Sequence, residues 1–491
     1  MTSLWLDRPR PTRPTLDDDV ACDVAVVGAG VTGLVTALLL ARAGRSVVLL
    51  EARTAGAATT GNTTAKVSLL QGTKLSRIRR GRSEDLVRSY VDANRRGQDW
   101  LRGFCLDHGV PVDDQAALTY ATGRSGEKQI RRELEVAQQV GLPVEWTDET
   151  ELPFAIRGAI RLGDQFQMHP VELVDALAQA LIDAGGQLFE HSRVRRVRHE
   201  SPGVRAETEA GSVTACHLII ATSMPILDRG GFFARLVPQR SYAAALRPGW
   251  VPDAMYLSAD SPSHSIRRVD HDGAPLLLVG GHGHVTGRTS SEAKQLAGLL
   301  DWARTELSAT EVTHTWSAQD HGPAAELPYV GPLLPHDGHI LVATGFDKWG
   351  FTNAPAAAEL LTAQITGATQ PDSAAMSSWS PWEATGLPKA LVANGSVGFQ
   401  MARGWLDAAV ATDDDRPEEG EGVVTRRGLA PIARCTVAGE TREVSAVCPH
   451  LHGIVTWNDA EKSWDCPLHG SRFAPDGSVL EGPTTEPLRQ I

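Results

Sequence analysis

The 491-residue sequence predicts an α/β domain with a sheet-rich lobe, followed by a small all-β module. Three observations carry this reading. A strand, glycine turn, helix and strand follow one another in Cys22–Ala52. Strand and helix patterns then mix as far as about Ile365, and short strands with tight turns fill the chain from about Val423 onward. The length suits two or three domains, and 42% hydrophobic and 22% charged residues are ordinary for a globular protein.

Net charge is −12, so phosphates would go unneutralised and nucleic acid is excluded as the main partner. Met1–Val20 is polar and proline-rich, unlike a signal peptide. No apolar run reaches the ~18 residues that span a bilayer, so no membrane insertion is expected. The six cysteines lack the spacing of a disulfide framework, which fits a cytoplasmic location.

Met1–Asp19 reads as a loose arm. Within Cys22–Ala52, Val24–Val27 and Val47–Leu50 are short apolar strands, Gly28–Gly33 is a turn and Leu34–Ala43 a helix. Ser83–Asp107 and Gly126–Val140 read as polar-faced helices, and Pro170–Ala184 as a helix closed by Gly185-Gly186. Gln187–Val197 and Val204–Glu209 suggest a strand pair, and Leu218–Thr222 a buried strand. Leu236–Trp316 is strand-like, with one helix near Ser291–Glu306. His339–Thr344 is a last apolar strand before Gly345 and a helix at Ala354–Ile365. Pro371–Pro388, rich in Ser, Pro, Ala and Trp, reads as a linker, and Leu391–Val410 as a tail segment. Asp413–Gly422 holds six acidic residues and one arginine, the pattern of a solvated loop, with a docking patch for a redox partner as the alternative. The division is therefore 1–370, 371–410 and 411–491.

Gly28, Gly30 and Gly33 form a complete GxGxxG fingerprint between strand and helix. The first glycine permits a sharp turn, the second lets backbone approach a pyrophosphate, and the third lets helix and strand pack closely. The helix N-terminus offers free N–H groups to the phosphate. Glu51, 23 positions after Gly28, ends the second strand where a carboxylate can bond ribose hydroxyls. The unit is Rossmann-like. The motif alone does not separate FAD from NAD. A pyridine-nucleotide reductase is expected to carry a second such unit, and the nearest candidate, Gly281-x-Gly283, lacks the third glycine and the acid-ended strand and reads as a tight turn. The single site is assigned to FAD.

Near the C-terminus, Cys448, His450, Cys466 and His469 form a C-x-H … C-x-x-H pair with 15 residues between its halves. Two thiolates for one iron and two imidazoles for the other is the ligand set of a Rieske [2Fe–2S] centre. Each pair follows a strand. Trp457–Trp464 reads as a hairpin through Asn458-Asp459, and Pro475-Asp476-Gly477 as a further turn. Tetrahedral zinc is the competing reading of two Cys and two His. The C-x-H first half, the glycine soon after each ligand histidine and the neighbouring nucleotide domain weigh against it.

With these motifs the chain resembles the D-amino-acid-oxidase-like FAD oxidoreductases, in the bacterial branch with a fused C-terminal Rieske domain. The resemblance covers nearly the whole chain and rests also on Thr59–Val67, His321–Leu333 and Ala343–Leu361. It implies that Thr63 and Thr64 lie near the flavin, and that Gly345, Gly350, Phe351 and Thr352 belong to the segment closing over its ring. Lys66, Lys348 and Trp349 are the candidates for contact with flavin or substrate. Neither His nor Cys occurs in Thr59–Val67, and no Cys lies near the second motif, so FAD held without a covalent bond is expected. Cytochrome-complex Rieske proteins carry a disulfide between the ligand loops, but its positions here are Gly453 and Leu468.

Together these features point to oxidation of a small amine or amino acid, with hydride passing to flavin and electrons leaving through the Rieske cluster to an external acceptor. One alternative is an NAD(P)H-dependent flavin reductase feeding the cluster, in which an external donor supplies the electrons. Another is a non-catalytic electron-transfer or redox-sensing protein. Arg267, Arg268 and Arg288 are possible binders of a substrate carboxylate.

Overall fold

The computed structural model describes residues 1–369, 372, 374–411 and 416–491. Part of the linker reading and the first residues of the acidic run Asp413–Gly422 lie outside these.

The fingerprint unit forms as the sequence dictates. Asp19–Val27 and Val47–Leu50 pair in parallel, and Val31–Arg42 crosses between them. Both strands are buried at their inner ends, which explains their unbroken apolar runs. The spatial order of this first sheet is Tyr329–Pro332, Ile340–Thr344, Ser212–Ile220, Asp19–Val27, Val47–Leu50 and Gln187–Phe189. Helix Val31–Arg42 packs on Gly350–Thr366 and Pro170–Asp183, and Glu84–Asp107 lies against Gly350–Thr366. Ser83 caps Glu84–Asp107 through its hydroxyl, and Pro170 opens Pro170–Asp183, where its missing N–H costs nothing.

The lobe is a second, nine-stranded sheet. It runs from Val312–Pro323 through Leu236–Leu246 and Ala274–Val285 to Gly158–Met168 and Lys66–Val67. Ser291 caps helix Glu292–Leu307, which packs on this sheet. The all-β module has a three-stranded sheet (Gly422–Arg427, Ala430–Val437, Glu440–Ser445) and a four-stranded one ending at Val479–Glu481.

Five local expectations differ. Met1–Asp19 is not a loose arm: Leu4, Trp5 and Leu16 are buried, and Trp5 donates to the Thr63 carbonyl at 2.7 Å. Gln187–Val197 is not one strand. Gln187–Phe189 joins the parallel sheet beside Val47–Leu50, whereas Arg196–Glu200 forms a hairpin with Gly203–Glu207. Gly281 and Gly283 lie inside strand Ala274–Val285, not in a turn; a register irregularity sits opposite them at Arg240/Tyr242, and His282 takes φ +52. Glycines here mark a bulge, which the sequence pattern also permits. The last helix of the first domain begins at Gly350 rather than Ala354, with Pro355 inside it. The tail Leu391–Val410 is helical, as part of Leu387–Val410; Val397 and Met401 pack on the all-β core and Trp405 donates to the His452 carbonyl at 3.0 Å.

Candidate functional site

The first cavity, about 210 Å³, opens at the N-terminus of Val31–Arg42. Gly28, Gly30, Glu51, Thr63, Gly345, Gly350, Phe351 and Lys348 all line it. Gly33 lies beneath it: a Cβ there would fall 1.8 Å from the Gly28 carbonyl oxygen, so helix and turn can approach only with glycine. The Glu51 carboxylate accepts from Ala29 N at 2.8 Å and Arg53 N at 2.9 Å, which fixes it at the cavity wall. A helix N-terminus beside a fixed carboxylate, with the Val31 N–H on Thr60 Oγ1 at 3.2 Å, suits a pyrophosphate and a ribose.

A second cavity, about 430 Å³, shares Thr59, Thr63, Asp320 and Lys348 with the first. Thr64, Lys66 and Trp349 line this one. Lys66 donates to the Tyr256 carbonyl at 2.6 Å, and burial together with Arg267 lowers its pKa to about 7. Lys348 donates to Ser241 Oγ at 2.9 Å. Thr352 lines neither cavity; its hydroxyl accepts from Gln71 at 3.1 Å and donates to the Trp349 carbonyl at 3.3 Å, so it fixes the helix start instead.

None of the three arginines lines the second cavity. Arg267 is buried and donates to the carbonyls of Thr64 and Ala65 at 2.8 and 3.0 Å, propping the flavin-motif segment. Arg268 pairs with Asp270 near the surface. Arg288 donates to the Pro467 carbonyl at 2.8 Å, across the domain boundary.

Sequence reasoning missed Asp320 and His321 as site residues. Both line the first cavity, and Asp320 lines both. Asp320 Oδ2 and His321 Nε2 are buried without a partner. Burial and the nearby Asp347 raise Asp320 to about 6, while burial lowers His321 to about 4. Their signal was positional: Asp320 precedes and His321 begins the HGPAAELPYVGPL segment, but acid and imidazole there read equally well as turn polarity.

In the all-β module, Cys448 and Cys466 are buried side by side. His450 Nε2 lies 2.5 Å from Asp228 Oδ1 of the first domain, which leaves its Nδ1 for a metal. His469 Nδ1 is buried without a partner. The two imidazole rings are 5.0 Å apart, and both stand edge-on to Phe233 of the first domain, at 5.9 and 5.3 Å. A Cβ on Gly453 would lie 2.5 Å from the Leu468 side chain, so the ligand loops touch where a disulfide would otherwise join them. Among the described residues, no three His, Cys, Asp or Glu side chains gather about one metal position. The paired cysteines and paired imidazoles fit a two-plus-two division between two irons.

Residues 23–364 match the FAD dependent oxidoreductase family, and residues 408–491 match the Rieske [2Fe-2S] domain. The chain belongs to the FAD-dependent oxidoreductase family. Its cofactors are FAD and a [2Fe–2S] cluster. The chain is 32% identical over 98% of its length to YhfW of Bacillus subtilis (strain 168), named as a candidate Rieske 2Fe-2S iron-sulfur protein, and covers 95% of that protein. It is 26% identical to gamma-glutamylputrescine oxidoreductase of Escherichia coli (strain K12) over 227 residues, 44% of this chain and 52% of that one. Glycine oxidase from Geobacillus kaustophilus shares the fold of the oxidoreductase part, with TM-score 0.61 and 21% identity over 72% of this chain and 96% of that one. No helix among the described residues is long and apolar enough to cross a membrane.

The Rieske domain of this oxidoreductase is held to the flavin domain by charge. Arg240 of the flavin domain, 1% exposed, reaches Glu461 at 2.5 Å and Glu481 at 3.8 Å across the boundary, and Arg472 on the Rieske side reaches the same two carboxylates at 3.0 and 2.8 Å. Burial alone would raise Glu461, but Arg240 and Arg472 outweigh it and hold the carboxyl at about 2. A depressed carboxyl stabilises the fold above its unfolded value of 4.5 and loses that contribution as pH falls through about 2. Denaturant titrations at pH 7, 4 and 2.5 are expected to show this loss between the last two. Glu461→Gln removes that step; an unchanged pH profile in the variant contradicts the assignment.

Proposed function

We propose that the protein oxidises the C–N bond of a small amine or amino acid and passes the electrons through its Rieske cluster to an external acceptor, in the cytoplasm. FAD, when bound, supplies a two-electron acceptor, and the cluster a one-electron carrier. The proposed FAD contacts are Gly28, Gly30, Glu51, Thr63, Gly345, Gly350 and Phe351; the proposed iron ligands are Cys448, His450, Cys466 and His469.

One observation carries the electron-transfer part. The ligand histidines, with His450 at Asp228 and both rings on Phe233, are turned onto the flavin domain and not to solvent. This contact supports a short path for electrons between the flavin domain and the proposed cluster.

Asp320 supports the choice of an amine. Its partnerless carboxylate oxygen stands between the two cavities, where an ammonium or amine N–H would satisfy it. Lys66 and Lys348, at the wall of the second cavity, suit an acidic group elsewhere on the substrate.

Anaerobic mixing with a library of amines and amino acids tests the reading. Bleaching of flavin absorbance followed by the cluster's EPR signal is expected with at least one compound. Bleaching by NADH and by none of these compounds would replace it with the reductase reading. For an active amine, Asp320→Asn is expected to raise KM at least about tenfold, the effect of losing one charge-assisted hydrogen bond. Because Asp320 must be ionised to accept, wild-type affinity should fall as pH drops below about 6, and the variant should lose that limb.

A further inference from the structure

The flavin cavity is not built by the flavin domain alone. Leu480, Glu481, Gly482, Thr484 and Thr485 of the Rieske domain line the same cavity as Gly28, Gly30 and Glu51. This segment continues the last Rieske strand, Val479–Glu481.

Both ends of the segment are tied down. Arg193 of the flavin domain donates to the Val479 carbonyl at 2.9 Å. Arg195 donates to the Thr485 carbonyl, and Thr485 returns a bond from its hydroxyl to the Arg195 carbonyl at 3.0 Å. In the middle, Glu481 is held by Arg472, and a Cβ on Gly482 would sit 3.7 Å from Ile226, another residue of the cavity wall. The Thr484 N–H donates at 3.3 Å to Ser471, two residues beyond the ligand His469. The wall of the flavin cavity and the second cluster loop are thus joined by one hydrogen bond.

We propose that the FAD site is composite: the Rieske segment Leu480–Thr485 forms one wall of it, and FAD leaves only when this segment lifts from the flavin domain. A ligand that contacts both domains stabilises their docked arrangement, and by linkage the docked arrangement retains the ligand. The Rieske domain is therefore a cofactor-binding element for FAD as well as the carrier of its own cluster.

Two substitutions loosen docking at residues that do not themselves line the cavity. Arg195→Ala removes the clamp on Thr485. Asp459→Ala acts at a distant point of the interface, where Asp459 accepts from Ser291 Oγ at 2.6 Å and Ala293 N at 2.8 Å. In the full-length holoprotein, the rate of FAD release, followed by the fluorescence of freed flavin, is expected to rise about tenfold in each variant, the factor for one lost bond to a charged group. Hydrogen exchange supplies a test that needs no variant. In the wild-type protein, amides of residues 479–485 are expected to exchange more slowly with FAD bound than after its removal. Release at the wild-type rate in both variants, or equal exchange with and without FAD, overturns the proposal.

Discussion

Replacing Cys466 with serine is expected to abolish the cluster. The reduced variant should give no Rieske EPR signal, and its iron content should fall to background. The reason is ligand chemistry: a thiolate suits the iron–sulfur cluster, and a serine hydroxyl does not replace it. The site leaves little room for rescue. Cys466 is 2% exposed, its N–H donates to the Ser471 carbonyl at 2.8 Å, and its carbonyl accepts from Gly470 N at 3.1 Å. The loop thus holds the side chain on Cys448, and no other cysteine lines up beside it; Cys435 instead points its thiol to the Pro475 carbonyl at 3.8 Å. Flavin absorbance should survive, because Cys466 lines neither cavity. If a substrate is in hand, it should still bleach the flavin while reduction of an external acceptor is lost. A full complement of iron in the variant would exclude Cys466 as a ligand, and zinc in the wild-type protein would exclude the cluster.

The cluster and the fingerprint were legible because their chemistry is local. Gly28, Gly30 and Gly33 are read within one turn, and Cys448–His450 and Cys466–His469 within two short loops whose spacing follows from the ligand geometry. What escaped depends on contacts between distant segments. Asp320 is an ordinary acid in a strand until Lys348, far along the chain, is brought to the same cavity. Arg288 looks like a carboxylate binder until the Rieske domain arrives and Pro467 takes its bond. Asp228 and Phe233 sit in a segment with no motif at all, yet they receive both histidines proposed as ligands. Gly281 and Gly283 misled for a related reason. Glycines in sequence announce backbone freedom, but only strand pairing decides between a turn and a bulge.

The second large effect is expected from Lys74→Met. Lys74 is 1% exposed and lies 2.7 Å from Asp347 and 3.5 Å from Glu326. Arg77 completes the group, at 2.9 Å from Asp347 and 3.2 Å from Glu326. Asp347 and Lys348 both take left-handed backbone conformations, with φ of +47 and +74, immediately before helix Gly350–Thr366. Non-glycine residues rarely adopt that conformation, and here the buried ion pairs hold the turn that carries Lys348 into the cavities. Burial alone would raise Asp347, but Lys74 and Arg77 together hold it far below the usual carboxylate range. Methionine keeps the volume and removes the charge, leaving two partly buried carboxylates to share Arg77 and, for Glu326, Lys389. Breaking a buried pair from one side costs about 3–5 kcal/mol, and urea denaturation should show a loss of that size at pH 7. FAD content should fall with it, since the Gly345–Phe351 wall rests on this turn. The loss should shrink on acidification, because the wild-type advantage is present above the unfolded carboxyl value of 3.8 and disappears as Asp347 is protonated. Removing the partner charge as well, in Lys74→Met with Asp347→Asn, should recover at least half of the lost stability, since no ionised Asp347 is then left behind. A single variant within about 1 kcal/mol of wild type, or a double variant no better than the single, would show that the turn stands without this ion pair.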